Sequence, residues 1–101
     1  MSTTKLLNAV IATGAGLGVG LPSKDFTIQS FVVGQGTVSA TYAIETSNNA
    51  GADWDPLATI TITKTTRASG SFSALGKYDL IRCNLTAISG TNATFSSILS
   101  F

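Results

Sequence analysis

The 101-residue sequence predicts an all-β protein, either an antiparallel β-sandwich or a barrel. Apolar and polar residues alternate with a period of two in several stretches, as in strands that bury one face. Glycine- and serine-rich turns separate these stretches, and no stretch shows the 3.6-residue period of a helix. The spacing of strands and turns favours an Ig-like or jelly-roll-like arrangement, with an extended N-terminal arm.

The length of the chain allows one hydrophobic core without disulfides or metal ions. We divide the chain into an apolar, glycine-rich arm over residues 1–25 and a single β-sandwich domain over residues 26–101. Only 11% of the residues are charged, so few charges keep neighbouring copies apart. This composition is typical of a protein that packs against other proteins, and equally of a secreted β-domain with a Ser/Thr-rich surface.

The arm places an apolar stretch before glycines at every second position from Gly14 to Gly20. One positive charge before apolar residues is also the pattern of a signal peptide, but Asn8 and Thr13 interrupt the apolar stretch. The glycines disfavour a helix, and the stretch is too short to span a membrane. The same glycines are also a feature of nucleotide-binding loops, which need a helix directly after them to bind phosphate. Here Pro22 follows and no helical pattern comes next, so this interpretation is rejected. We therefore expect the arm to lie on its own domain or on a neighbouring copy.

The first two strand-like stretches flank residues 34–36. Phe26 and Ile28 share one face, and residues 30–33 then break the alternation, which predicts a bulge or a strand covered on both faces. The Gly-Gln-Gly sequence at residues 34–36 predicts a hairpin turn. Alternation resumes over residues 38–45, so this part of the sequence predicts two strands joined by a tight turn.

The stretch over residues 38–62 predicts a second hairpin, with turn-forming residues at 48–53 and Pro56 before the next strand. Trp54 lies at its far end. A single tryptophan in a β-sandwich is usually a core residue; the alternative is a sugar-stacking platform formed with Tyr42 and Tyr78. Asp53 and Asp55 are interpreted as turn residues that hold backbone N–H groups, rather than as a metal site or a glycosidase pair.

The last third of the sequence predicts a loop at residues 64–70, a short strand at 71–75, and a strong strand at 78–88. Residues 89–92 predict a turn before a final strand over 93–101. Ser97 is the one polar residue in phase with the apolar face of that strand. Cys83, the single cysteine, cannot form an intramolecular disulfide and is expected to pack in the core.

Composition also excludes several kinds of chemistry. The sequence has no histidine, which excludes the usual catalytic triads and most zinc sites. We therefore predict a protein that is not an enzyme, with no catalytic, metal-binding or cofactor-binding residues. Its six basic residues are spread along the chain, whereas binding to a phosphate backbone needs them on one face. Neither nucleic acid nor a membrane is an expected partner.

Two segments carry a recognisable pattern, over residues 44–61 and 76–95. A strand ends in Glu-x-Ser-x-Asn, a Trp-x-x-Leu follows, and a later Tyr-x-x-Ile-Arg strand closes with Ser-Gly. This pattern resembles small β-sandwich virion structural proteins of tailed bacteriophages. The Asn-Ala-Gly spacing has one more residue than the Asp-Gly common in that family. The matching positions are Glu45, Ser47, Asn49, Gly51, Trp54, Leu57, Tyr78, Ile81, Arg82, Ser89 and Gly90.

The resemblance implies a capsid decoration or cement protein that stabilises the shell, made in the host cytoplasm and located on the virion surface. It implies a homo-oligomer, taken as a trimer, that binds the major capsid protein or another virion protein without cofactors. The alternatives are a tail or fibre component and, from a different class, a carbohydrate-binding β-sandwich module. We predict that the apolar arm residues bind a partner. They are Leu6, Leu7, Val10, Ile11, Leu17, Val19 and Leu21.

Overall fold

The computed structural model describes residues 3–20, 25–75 and 78–101, and within these ranges all regular structure is β-strand. This confirms the predicted all-β, antiparallel class. No helix in the described ranges is long and apolar enough to cross a membrane. The strands are β1 (Thr3–Val10), β2 (Gly14–Ala15), β3 (Val19–Gly20), β4 (Asp25–Ser47), β5 (Asp55–Leu75) and β6 (Leu80–Ser100).

The six strands form one antiparallel sheet in which the order of the main strands is β1-β6-β4-β5. β4 pairs along nearly its whole length with β5 on one side and with β6 on the other. β2 and β3 pair with β6, as β1 does. The arm therefore follows one side of β6, and β5 forms the opposite edge of the sheet. β4 therefore has strand partners on both sides, whereas β6 is covered on the arm side only where β1, β2 and β3 pair with it.

All three long strands are irregular at the same level of the sheet. The β4–β5 pairing shifts register between Val33 and Thr37. On β5, Thr66 has a positive φ of 63°, and on β6, Gly90 and Asn92 have φ values of 127° and 54°. Positive φ values in otherwise extended strands mark bulges that bend a sheet. The irregularities therefore form a single line of bending across the sheet.

The bend brings the two halves of the sheet face to face. Phe95 lies opposite Val32 on one side of the bend, and Tyr42 lies opposite Leu85 on the other. Yet the rings of Tyr42 and Phe95 meet, with centroids 5.1 Å apart and an angle of 46° between their planes. One continuous sheet thus supplies both layers of the core, where two separate sheets would supply them in an ordinary sandwich.

Two predicted turns and one predicted loop are corrected by this architecture. Residues 34–36 and 89–92 were expected to be turns and residues 64–70 a loop, but all three lie within continuous strands. The pairs Gln35–Thr91 and Val33–Arg67 show that these stretches are neighbours across the sheet. Glycine, asparagine and serine permit the backbone conformations of a hairpin and of a bulge alike. The residues mark the bend correctly, but their types do not distinguish bending from reversal.

The core lies between the two halves of the sheet. Cys83 is fully buried, as predicted. Ser97 is also fully buried in phase with the apolar residues, and its hydroxyl pairs with that of the buried Ser30 across 3.0 Å. A buried hydroxyl needs such a partner to offset the loss of water. The apolar core residues are Leu6, Phe26, Ile28, Val32, Val38, Ala40, Tyr42, Ile44, Ile62, Ala68, Ile81, Cys83, Leu85, Ala93, Phe95 and Leu99.

The tight packing of backbone at the bend can be tested by substituting Gly34. A Cβ added at Gly34 would lie 2.9 Å from the carbonyl oxygen of Thr91 and 3.1 Å from Cα of Ala93. Both atoms belong to backbone, so Gly34→Ala is expected to lower the free energy of unfolding by about 1–3 kcal/mol. The matched control is Gly20→Ala, where an added Cβ meets no atom within 4 Å. Urea unfolding of both variants checks this, and equal stabilities would contradict the tight packing at the bend.

Candidate functional site

The arm lies on its own chain, along the free side of β6. β1 runs from Thr3, opposite Ser100, to Val10, opposite Phe95. The arm then leaves the ladder and returns in two short pairings, of which the last places Gly20 opposite Leu80. Between them, the N–H of Gly16 donates to the carbonyl of Cys83 across 2.9 Å. The described part of the arm is therefore an interrupted strand that extends the sheet.

The structure divides the predicted partner-binding residues into three groups. Leu6 is only 5% exposed and belongs to the core of its own chain, so its side chain is not available to a partner. Leu7, Val10 and Val19 are partly buried against that core. Ile11 and Leu17 are 77% and 87% exposed. Leu21 lies outside the described residues. We call Ile11 and Leu17 together the arm patch.

Trp54 is half-buried beside the arm and does not belong to the core, so the prediction that it anchors the core is wrong. The guanidinium carbon of Arg82 lies 4.2 Å from the centroid of the Trp54 ring, within the range of a cation–π contact. Nε of Arg82 donates to Oε1 of Glu45 across 2.7 Å, which holds the guanidinium in place. A Cβ added at Gly18 would lie 2.7 Å from Cη2 of Trp54. Only a glycine in the arm allows this close approach.

Hydrogen bonds within residues 47–54, which we call the Trp54 turn, account for most of its polar residues. The N–H of Gly51 donates to Oγ of Ser47 across 2.9 Å. The N–H of Asp53 donates to Oδ1 of Asn49 across 3.0 Å, and Nδ2 of Asn49 donates to Oδ2 of Asp53 across 2.9 Å. Asp53 therefore lies in the turn as predicted, but its carboxylate accepts from the Asn49 side chain, and it is Ser47 and Asn49 that hold the backbone N–H groups. Asp55 instead begins β5, opposite Thr46.

The proposed sugar-stacking platform does not form. Tyr42 is 1% exposed within the core, so it cannot share a surface with Trp54. Arg82 already occupies space over the Trp54 ring, and a sugar must lie against such a ring to bind by stacking. Within the described ranges, no group of three or more His, Cys, Asp or Glu residues could hold a metal ion. The Trp54 turn is better explained as a support for the arm than as a ligand site.

Sequence reasoning missed two contacts of the outer surface. The pairing of Glu45 with Arg82 forms across neighbouring strands, and Arg67 lies over the ring of Phe31 at 4.5 Å from its centroid. Both contacts depend on which strand lies beside which. The sequence signal was present only as charged residues in phase with the outward face, which does not identify their partners.

The fold and these surfaces define a class: an all-β chain of one bent antiparallel sheet, with an arm that presents exposed apolar residues. No protein-family model, curated protein or solved structure matches the chain.

Proposed function

We propose that this chain is a non-enzymatic structural protein of a bacteriophage virion, acting as a capsid decoration protein that stabilises the shell. The observation that carries the proposal is the arm patch. Ile11 and Leu17 are the two most exposed large apolar side chains of the described chain, at 77% and 87%. Burying such a side chain against a partner contributes roughly 1.5–3 kcal/mol, so the patch favours a protein partner.

The arm holds the patch in a fixed position, which supports a binding role. Leu6, which precedes the patch in sequence, is buried in the core. Between Ile11 and Leu17, the N–H of Gly16 donates to the β6 backbone, and directly after Leu17, Gly18 packs on Trp54. A side chain presented by an ordered backbone loses less conformational entropy on binding than one on a free tail. The arm is therefore suited to bind a shell surface without folding first.

The outer face of the sheet also suits packing against protein. Thr41 pairs with Thr61, and Ser39 with Thr63, through hydroxyl contacts of 3.0 Å each. Hydroxyls that satisfy each other on the same surface can be covered at a lower desolvation cost than charges can. A face of this kind binds by shape. This agrees with a subunit that packs as a homo-oligomer, with a trimer as the proposed state, on the major capsid protein.

The double variant Ile11→Ser with Leu17→Ser tests the proposal. We expect its affinity for particles that lack the chain to fall by about 100-fold or more, because two apolar contacts are lost. The matched control is Val33→Ser, which alters a side chain that is 37% exposed and lies outside the arm. Co-sedimentation with particles measures binding, and thermal melting checks that each variant folds.

Particle-binding measurements also distinguish a capsid protein from a tail or fibre component and from a protein with no virion role. Full retention of particle binding by the arm variant would overturn the role of the arm patch. Labelling of bound chains in electron micrographs separates the capsid from the tail, since a tail or fibre component would be absent from the shell. Absence of the chain from both locations would contradict a virion role altogether.

A further inference from the structure

β5 forms an edge of the sheet and pairs only with β4 in the described chain. Its outward side therefore carries backbone N–H and C=O groups without strand partners. Such an edge can accept another strand, and natural proteins usually block it with charges, proline or bulges. On β5, Pro56 on one side and Lys64 with the positive φ of Thr66 on the other bound residues 58–63, a stretch that has no charged residue, as is also true of residues 68–75 beyond the bend.

The side chains of this stretch fit an additional strand on both faces of the sheet. Thr59, Thr61 and Thr63 are exposed on the outer face, and two of them already form hydroxyl contacts with β4. On the inner face Ile62 is buried, whereas Ile60 is only partly covered at the margin of the core. A strand added here would cover Ile60 and extend the row of threonines.

We propose that a second copy of this chain pairs antiparallel with β5 across a two-fold axis at Ile60. In this register each copy places Thr59 opposite Thr61 of the second copy, and Ala58 opposite Ile62. Both pairs join residues of the same face, as a pleated sheet requires. A two-fold contact uses the same surface on both partners, so the stretch must complement itself.

Charge supplies the argument for a second copy. The β4–β5 pairing skips one residue at Leu57, because Ile44 lies opposite Ala58 and Glu45 lies opposite Pro56. If the pairing with the second copy contains the same shift, Asp55 falls opposite Lys64 of that copy. Both side chains are exposed, and within the described chain neither forms an ion pair or a hydrogen bond. The two-fold axis forms this ion pair twice, at the two ends of the contact.

The inference goes beyond the proposed function and does not depend on the arm patch. A trimer needs a head-to-tail contact, so the symmetric β5 contact is an alternative to the proposed trimer for the free chain in solution, where it yields a dimer. Failure of the β5 contact would leave particle binding through the arm unaffected. Full retention of particle binding by the arm variant would overturn the arm patch and leave dimerisation through β5 unaffected, so the two experiments fail separately.

The test is a charge exchange measured by sedimentation equilibrium of the full chain. The wild type is expected to show a reversible monomer–dimer equilibrium. Asp55→Lys and Lys64→Asp should each weaken the dimer by about 10-fold or more, since each places like charges opposite one another. The double variant should restore dimerisation to near the wild-type affinity. The matched control is Lys5→Asp, which makes the same charge change at an exposed site on β1 and should leave the dimer unaltered.

Three results would overturn the β5 contact. These are a chain that stays monomeric at every concentration, single variants that dimerise as the wild type does, and species that grow beyond the dimer with concentration. The last result indicates head-to-tail association. Because Asp55 and Lys64 are exposed, all variants should fold, and thermal melting of each variant checks this.

Discussion

Replacement of Phe95 with alanine is expected to lower the free energy of unfolding by about 3–5 kcal/mol, which is a large share of a small domain's stability. Phe95 is fully buried, and its ring packs against that of Tyr42 from the opposite half of the sheet. Removing the ring leaves a cavity where the two halves meet. Because both layers belong to one continuous sheet, no second sheet can move inwards independently to fill that cavity.

The measurement is urea unfolding, followed by circular dichroism, of Phe95→Ala beside Trp54→Ala. Trp54 is half-buried outside the core, so its loss removes a contact with Arg82 and support for Gly18, and should cost about 1–2 kcal/mol. The difference between the two variants is the informative quantity. If Trp54→Ala were as damaging as Phe95→Ala, Trp54 would be the core anchor after all.

The alternation of the sequence predicted the strands and most of their inward faces, because side-chain direction in a strand is fixed locally. Ile81, Cys83 and Leu85 share the buried face as expected. Ala87 continues the same alternation but is exposed. The reason is a register shift in the β4–β6 pairing: Thr41 lies opposite Ala87 and Tyr42 opposite Leu85, so β6 has one extra residue between them and its phase reverses beyond Leu85. Such a shift depends on two strands and leaves no mark in one of them.

The position of Trp54 shows why the candidate site was harder to predict than the fold. Residue type favours a buried tryptophan, and the turn around it was predicted correctly from Asn49 and Asp53. Its actual contacts come from Arg82 and Gly18, which are distant in sequence. Only the pairing of the arm with β6 brings them together. Long-range pairing of this kind is decided by the whole sheet, and therefore local patterns do not reveal it.

The contacts of the arm also could not be predicted from local sequence patterns alone. An apolar, glycine-rich stretch predicts that something covers it, and Leu6 is indeed covered. The covering surface is the chain's own sheet, although the sequence is equally compatible with a neighbouring copy. What the structure adds is the separation of Leu6, which supports the fold, from Ile11 and Leu17, which remain exposed. This separation identifies, within the predicted binding set, two exposed residues that can be tested together.

The protein is expected to lose stability as the pH rises from 9 towards 11. Burial raises the pKa of the Cys83 thiol from its ordinary value of 9.0 to about 11, and the nearby Ser97 hydroxyl offsets this only in part. Burial also raises the pKa of Tyr42. Below pH 9 the thiol is protonated in both the folded and the unfolded chain. Between the two pKa values only the unfolded chain releases its proton, so the free energy of unfolding falls.

The size of the loss follows from the pKa difference. A shift from 9.0 to about 11 corresponds to roughly 3 kcal/mol once the pH exceeds both values, and to about 2 kcal/mol at pH 10.5. Urea unfolding at pH 8 and pH 10.5 measures it. Cys83→Ala is the matched control, because it removes the thiol while Tyr42 and every other titrating group remain.

Comparing how much unfolding free energy the wild type and Cys83→Ala each lose between pH 8 and pH 10.5 separates the effect of the thiol from that of the other groups that titrate at high pH. Cys83→Ala should be less stable than the wild type at pH 8, since it leaves a small cavity, yet it should lose about 2 kcal/mol less on going to pH 10.5. Equal losses in the two proteins would mean that Cys83 titrates alike in the folded and unfolded chains. Such a result is incompatible with a thiol enclosed between the two halves of the bent sheet, because enclosure disfavours the thiolate in the folded state alone.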